Sequence, residues 1–168
     1  MSAPISRQRP ETGPPLEWRL GGLADATAAA ELAEAAFTPE YREAWTAGQM
    51  AGLLGGRDSW LQFGLQQQQP IAFALCRIAA DEVELLLCAT HPGARRQGIG
   101  RALLDRVRTE SLRRGGRRLF LEVRSSNAEA LSLYQAAGFI QEGRRPGYYR
   151  TLSGDRIDAI TLALLLGD

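Results

Sequence analysis

The 168-residue chain contains no lysine; its twenty basic residues are all arginine. It has a single histidine, His91, and two cysteines, Cys76 and Cys88. So few cysteines exclude a disulfide-built scaffold, and with one histidine a four-ligand structural zinc site would have to recruit carboxylates. No metal site is expected. His91, in front of Pro92 at a strand end, cannot assemble a Ser-His-Asp system alone and reads as a loop residue. No apolar run approaches the roughly 18 residues that span a bilayer. A large net charge is missing too: the formal value is +1, so no global field points to nucleic acid or to a membrane. Met1–Pro15 holds four prolines and no hydrophobic segment, so it is not a secretory signal and reads as a flexible lead-in. What remains, residues 16–168, suits a single domain with its own core in a reducing cytoplasm.

Periodicity gives the fold class. Leu16–Leu20 alternates as a first strand ending at Gly21-Gly22. Asp25 reads as the N-cap of an alanine-rich helix to Ala36, and a second helix is expected from about Glu43 to Leu54, before Gly55-Gly56. Trp60–Leu65 and Ile71–Ile78 form a hairpin candidate around four glutamines read as a solvated loop. Glu82–Thr90 (EVELLLCAT) turns fully apolar, as in a strand buried on both faces. Ile99, Leu103 and Val107 recur every four residues in a helix to about Arg114. Strands Arg118–Val123, Phe139–Arg144 and Asp158–Leu166 follow, with a short helix, Ala128–Ala137, after the first of them. The order βααβββαβαββ predicts a mixed α/β domain with six to seven strands and about four helices.

The most informative window is Arg95-Arg96-Gln97-Gly98-Ile99-Gly100, which follows the buried strand and opens a helix. A helix start offers unpaired N–H groups and partial positive charge, which makes it an anion site. Glycines at 98 and 100 let the backbone approach a bulky phosphate. Arg95, Arg96 and Arg101 flank them and could add charge-assisted contacts to a pyrophosphate. The spacing matches neither the P-loop nor the dinucleotide fingerprint, whose last glycine is replaced by Leu103. A simple tight turn would explain the glycines equally well. The arginines that continue to Arg118 have no aromatic residues interleaved with them, which argues against RNA.

Over residues 82–165 the chain resembles the GNAT (Gcn5-related) N-acetyltransferases, and within them the RimI-type ribosomal-protein-alanine N-acetyltransferases. Arg95, Gly98 and Gly100 fit their [QR]-x-x-G-x-[GA] motif. Leu121-Glu122-Val123-Arg124-Ser125-Ser126-Asn127 resembles their L-E-V-R-x-S-N, and ALSLYQAAGF (130–139) their A-x-x-L-Y-x-x-x-G-F. Arg144-Arg145, Tyr148-Tyr149 and Asp158-Ala159 resemble later features, although Pro146-Gly147 adds a residue before the tyrosines and Leu162 replaces a common methionine.

The resemblance implies a GNAT fold and acetyl-CoA as co-substrate, with the backbone of Cys88, Ala89 and Thr90 pairing with pantetheine. Asn127 reads either as a helix cap or as a pantetheine contact, and the resemblance favours the contact. The phosphates would lie on Arg95, Arg96, Gln97, Gly98, Ile99, Gly100 and Arg101. Glu122, flanked by Leu121 and Val123, would be the general base; the residues alone allow instead a plain ion pair with Arg124. Tyr134 would be the general acid, its phenol being protonated at neutral pH, or else a packing residue. Tyr148 and Tyr149 read equally as acceptor-groove residues beside Arg144 and Arg145 or as ordinary strand residues, and Glu84 could meet a cationic acceptor. A peptide α-amine, with a pKa of roughly 7.7–8.0, needs only a modest base, far less than a lysine near 10.4. The expected acceptor is a protein N-terminus, alanine of a small-subunit ribosomal protein. No nucleic acid or membrane partner is expected, and the protein is expected to be a monomer or weak dimer. A small amine or lysine acceptor, or a non-catalytic acyl-CoA-binding module, are the alternatives.

Overall fold

A computed structural model describes residues 13–167. The lead-in expected over Met1–Pro15 lies outside them except for its last three residues. Strand β1 (Leu16–Gly21), helices α1 (Ala26–Ala36) and α2 (Ala47–Leu54), strands β2 (Ser59–Gln66), β3 (Gln69–Ala79) and β4 (Glu82–Thr90), helix α3 (Ile99–Arg113), strand β5 (Arg118–Arg124), helix α4 (Ala128–Ala136), and strands β6 (Ile140–Arg150) and β7 (Arg156–Leu165) follow in order. The strands form one seven-stranded sheet ordered β1-β2-β3-β4-β5-β7-β6. All neighbours are antiparallel except β4 and β5, which run parallel. The expected element order holds.

Apolar side chains collect on both faces of the sheet. Leu103, Leu104 and Val107 of α3 pack with Leu119, Leu121 and Val123 of β5 on one face. On the other, Ala29, Leu32 and Ala33 of α1 and Met50 of α2 pack on Leu61, Phe63 and Phe73. The β3–β4 register slips between Leu75 and Cys76, whose partners are Leu87 and Leu85, so Leu86 is an extra residue on β4. Because side chains alternate with period two, one extra residue exchanges the faces. Accordingly Val83 and Leu85 join the α3 core, whereas Leu87 and Ala89 join the α1–α2 core.

Parallel β4 and β5 pair only from Glu82–Glu84 to Arg118–Phe120. Beyond that the strands part, and the C-terminal half of β4 faces a gap. This split positions the site.

Three local expectations change. Asp25 occupies the N-cap position of α1 as expected, but its side chain makes no capping hydrogen bond; its carboxylate accepts the Gly22 N–H at 3.0 Å and pairs with Arg19 at 3.0 Å, closing the turn before the helix. Helix α2 starts at Ala47 rather than Glu43, because Thr46 and Gln49 form a reciprocal capping box, with hydrogen bonds of 3.2 and 2.8 Å. Residues 37–46 are therefore a loop, with one 3-10 turn at Pro39–Tyr41. Of the four glutamines, only Gln67 and Gln68 form the turn, both in the left-handed region, while Gln66 and Gln69 face each other in the ladder.

Much of the arginine-rich stretch is consumed internally. Glu110 is buried and receives Arg113 and Arg114, each at 2.6 Å; first of all the Arg113 hydrogen bond holds its carboxyl below the usual range. Arg114 also lies 4.3 Å from the Trp60 ring centroid, and Arg118 bridges Glu82 and Glu142.

Candidate active site

Two adjoining cavities open where the strands part. The larger, about 500 Å³, runs along the start of α3 between β4 and α4. Its wall includes Cys88, Ala89, Thr90, Arg95, Arg96, Gly98, Ile99, Gly100, Arg101, Asn127 and Tyr134. Of the residues expected at a phosphate-bearing ligand only Gln97, which is exposed, does not line it.

Gly98 caps α3 with φ +75° and no side-chain acceptor, so the first N–H groups of the helix stay open. A Cβ at Gly98 would meet nothing within 4 Å, whereas at Gly100 it would come within 3.2 Å of Leu133. The two glycines therefore serve different ends. Gly98 supplies the left-handed turn, and Gly100 lets α3 approach α4. Gly98→Ala is expected to destabilise the protein by about 1 kcal/mol through its φ alone and to weaken coenzyme A binding, measured by urea titration and calorimetry.

The three flanking arginines differ in availability. Arg95 donates to the carbonyls of Ala36 (2.7 Å) and Thr90 (3.4 Å), and Arg101 to that of Ala136 (2.5 Å). Arg96, at φ +62°, makes no protein hydrogen bond or ion pair among the described residues. Arg95 and Arg101 brace the walls; Arg96 is the free cation.

The second cavity, about 290 Å³, lies on the α1–α2 side. Its lining includes Phe37, Glu43, Trp45, Glu84, Glu122, Tyr148 and Tyr149. Leu119, Leu121 and Val123 enter the α3 core, so alternation puts Glu122 and Arg124 on this opposite face. The pair expected between them does not form. Glu122 Oε1 meets Arg145 Nε at 2.9 Å, while Arg124 Nε donates to Glu43 Oε1 at 2.5 Å. Glu84 is paired with Arg77 at 2.6 Å.

Tyr134 belongs to both cavities. Its ring meets Phe139 edge-on at 5.6 Å, so the packing reading is correct as far as the ring goes. Burial first, then the neighbouring Cys88 thiol, pushes its phenol well above the ordinary tyrosine value. It keeps its proton. Burial likewise pushes the Cys88 thiol up to about 12, partly offset by a hydrogen bond with Tyr134, and raises that of Cys76. Both cysteines are free. At pH 8 neither is expected to react with iodoacetamide in the folded protein, and both should react in urea, as followed by mass spectrometry.

Of the two readings of Asn127, the helix cap is observed. Its Oδ1 accepts the Ala130 N–H at 3.1 Å and caps α4, while the residue lines both cavities. Tyr148 and Tyr149 meet edge-on at 5.2 Å on a bulge of β6, where the register with β7 slips between Arg145 and Tyr149. The inserted Pro146-Gly147 makes that bulge, and Asp158 holds it, accepting the Gly147 N–H at 2.8 Å and Arg144 Nε at 2.6 Å.

Sequence reasoning missed the loop before α2, which contributes Phe37, Glu43 and Trp45. The signal was present: Thr46 with Gln49 three residues on marks a helix start at Ala47 and leaves Glu43 outside it.

A cleft beside the open amides of α3 and a groove that shares Glu43 and the protonated phenol of Tyr134 with it lie side by side, with room for two ligands. The family model described as the acetyltransferase (GNAT) family matches residues 26–139, and the chain belongs to that family. It is 44% identical to the [ribosomal protein bS18]-alanine N-acetyltransferase of Escherichia coli K12 over 108 residues, 64% of this chain and 72% of that enzyme. It is 35% identical to the enzyme of the same name from Haemophilus ducreyi over 122 residues, 73% and 83% of the two chains. The crystal structure of the ribosomal-protein-S18-alanine N-acetyltransferase of Escherichia coli superposes with a TM-score of 0.82 at 33% identity, covering 91% of this chain and 95% of that one.

Proposed function

We propose that this protein transfers an acetyl group from acetyl-CoA to the α-amine of a protein N-terminus, with N-terminal alanine of a small-subunit ribosomal protein as the acceptor. The observation that carries this reading is the meeting of the two cavities between β4 and β5, beside Tyr134 and next to the groove that holds Glu122. The names of the relatives at 44% and 35% identity support the acceptor.

The larger cleft fits the proposed co-substrate. Open amides at Gly98–Arg101 and the free Arg96 guanidinium suit a diphosphate. On its β5 side the outer half of β4, at Cys88–Thr90, has no partner strand, and this open edge suits an extended amide-bearing arm. When bound there, acetyl-CoA supplies an acetyl group activated as a thioester. In this reading Glu122 takes the proton of the acceptor amine, directly or through one water, and Tyr134 holds a proton at its phenol oxygen for the departing thiolate. Attack is direct, and Cys88, protonated at neutral pH, is no acyl carrier. One chain completes both cavities, which fits action as a monomer. We place the enzyme in the reducing cytoplasm, where its two free cysteines stay thiols.

The test is acetylation of short peptides that differ in their first residue, read by mass spectrometry. Alanine-first peptides should gain one acetyl group at the α-amine, and N-terminally blocked peptides none. Transfer to a lysine side chain of a blocked peptide would overturn the assignment.

A further inference from the structure

Six residues wall both cavities: Phe37, Glu43, Cys88, Asn127, Ala130 and Tyr134. Glu43 is the one carboxylate among them. Glu122 lines only the groove, so the carboxylate that the two cavities share belongs to the loop before α2, not to β5.

Glu43 is held there firmly. Its Oε1 accepts from Arg124 Nε at 2.5 Å, Arg124 Nη1 donates to Ser126 Oγ at 2.9 Å, and the guanidinium lies 3.5 Å from the Tyr41 ring centroid. The side chains of Arg124 and Glu43 are only 11% and 19% exposed. Oε2 of Glu43 takes no protein hydrogen bond among the described residues, although a carboxylate offers about four acceptor positions. The charge is felt there: the Glu43 carboxylate helps to raise the phenol of Tyr149 after burial, and that of Tyr134 after burial and the Cys88 thiol. Of the charged residues lining the groove, Glu43, Glu84 and Glu122 are acidic and only Arg42 is basic. Trp45, Tyr148 and Tyr149 also line the groove, and Arg145 already lies 5.2 Å from the Tyr148 ring centroid.

We propose that Glu43 is the electrostatic anchor that receives the acceptor's α-ammonium at the passage, and that Arg124 is its positioning residue. The inference rests on the groove being the acceptor site. It separates two tasks: Glu43 recruits the charged amine, and Glu122 removes its proton. A neutral acceptor end leaves Oε2 without a charged partner, so the anchor discriminates by charge.

The test compares an alanine-first peptide with its analogue carrying a hydroxyl in place of the α-amine, each titrated calorimetrically into the enzyme saturated with coenzyme A. The wild type should bind the amine peptide about ten-fold more tightly, the size of one charge-assisted hydrogen bond. Glu43→Gln should bind both peptides equally while still binding coenzyme A, which reports a folded cleft. Glu43→Asp keeps the charge and should keep a preference; Arg124→Lys should narrow it, since lysine cannot reproduce the planar fork over Tyr41. A ten-fold preference that persists in Glu43→Gln would make Glu43 a structural clamp and overturn the proposal. So would a wild type that acetylates the peptide yet binds both forms alike. A wild type that acetylates no α-amine removes the acceptor reading itself, and this inference falls with it.

Discussion

Glu122→Gln is expected to lower kcat at pH 7 by about a hundred- to a thousand-fold, the usual worth of a positioned general base. Glutamine keeps the length of the side chain and an oxygen in place of Oε1, which lies 2.9 Å from Arg145 Nε. What it cannot do is take a proton. Glu122 lies in the groove and not in the wall of the larger cleft, so the affinity for coenzyme A should be unchanged. Steady-state kinetics beside calorimetry separates the two quantities. A parallel loss of coenzyme A binding would show that Glu122 supports the sheet rather than the chemistry.

Tyr134→Phe is expected to lower kcat by about ten- to a hundred-fold with little loss of stability. The ring, which packs edge-on against Phe139, is retained, and only the phenol oxygen disappears. The pH profile gives a second readout. Burial raises the phenol well above its ordinary value near 10, so the wild type should show no fall in kcat as pH rises through that ordinary range. Stability behaves oppositely. Below pH 10 the phenol is protonated in both folded and unfolded chains, so it adds no slope. Above it, the unfolded chain ionises while the folded one resists, and stability is lost as pH rises. The Cys88 thiol, raised from 9.0 to about 12, adds the same sign from pH 9 upward. Urea titrations from pH 8 to 11 should therefore show falling stability, with a shallower fall in Tyr134→Phe. A slope identical in both proteins would place the titrating group elsewhere.

The elements whose signals are local were readable. Helix α3 follows from Ile99, Leu103 and Val107 on one stripe, and all three are buried. Strand β4 reads as apolar because both of its faces are covered, yet the slip at Leu86 that exchanges those faces leaves no mark in EVELLLCAT. Glu43–Trp45 continues the helical pattern of the second helix, but the Thr46–Gln49 capping box starts that helix at Ala47. Glu122 and Tyr134 were chosen through motif and chemistry, and the fold brings them to adjoining cavities. Their neighbours were not legible. Glu122 meets Arg145 across β7, and Arg124 reaches back 81 residues to Glu43.

By itself the sequence determined the element order and the glycine-opened start of α3, since both rest on spacings of a few residues, whereas the two candidate proton carriers came from the family resemblance. Tertiary structure decided which of Arg95, Arg96 and Arg101 makes no protein hydrogen bond or ion pair among the described residues, what Gly100 is for, and that the loop carboxylate of Glu43 lines both cavities. Hydrogen bonds and ion pairs between distant segments form only when the sheet has assembled, and a side chain's share in them depends on which strand happens to lie beside it. The parting of β4 from β5 is of that kind: neither strand encodes it alone, and without it the two cavities would not meet.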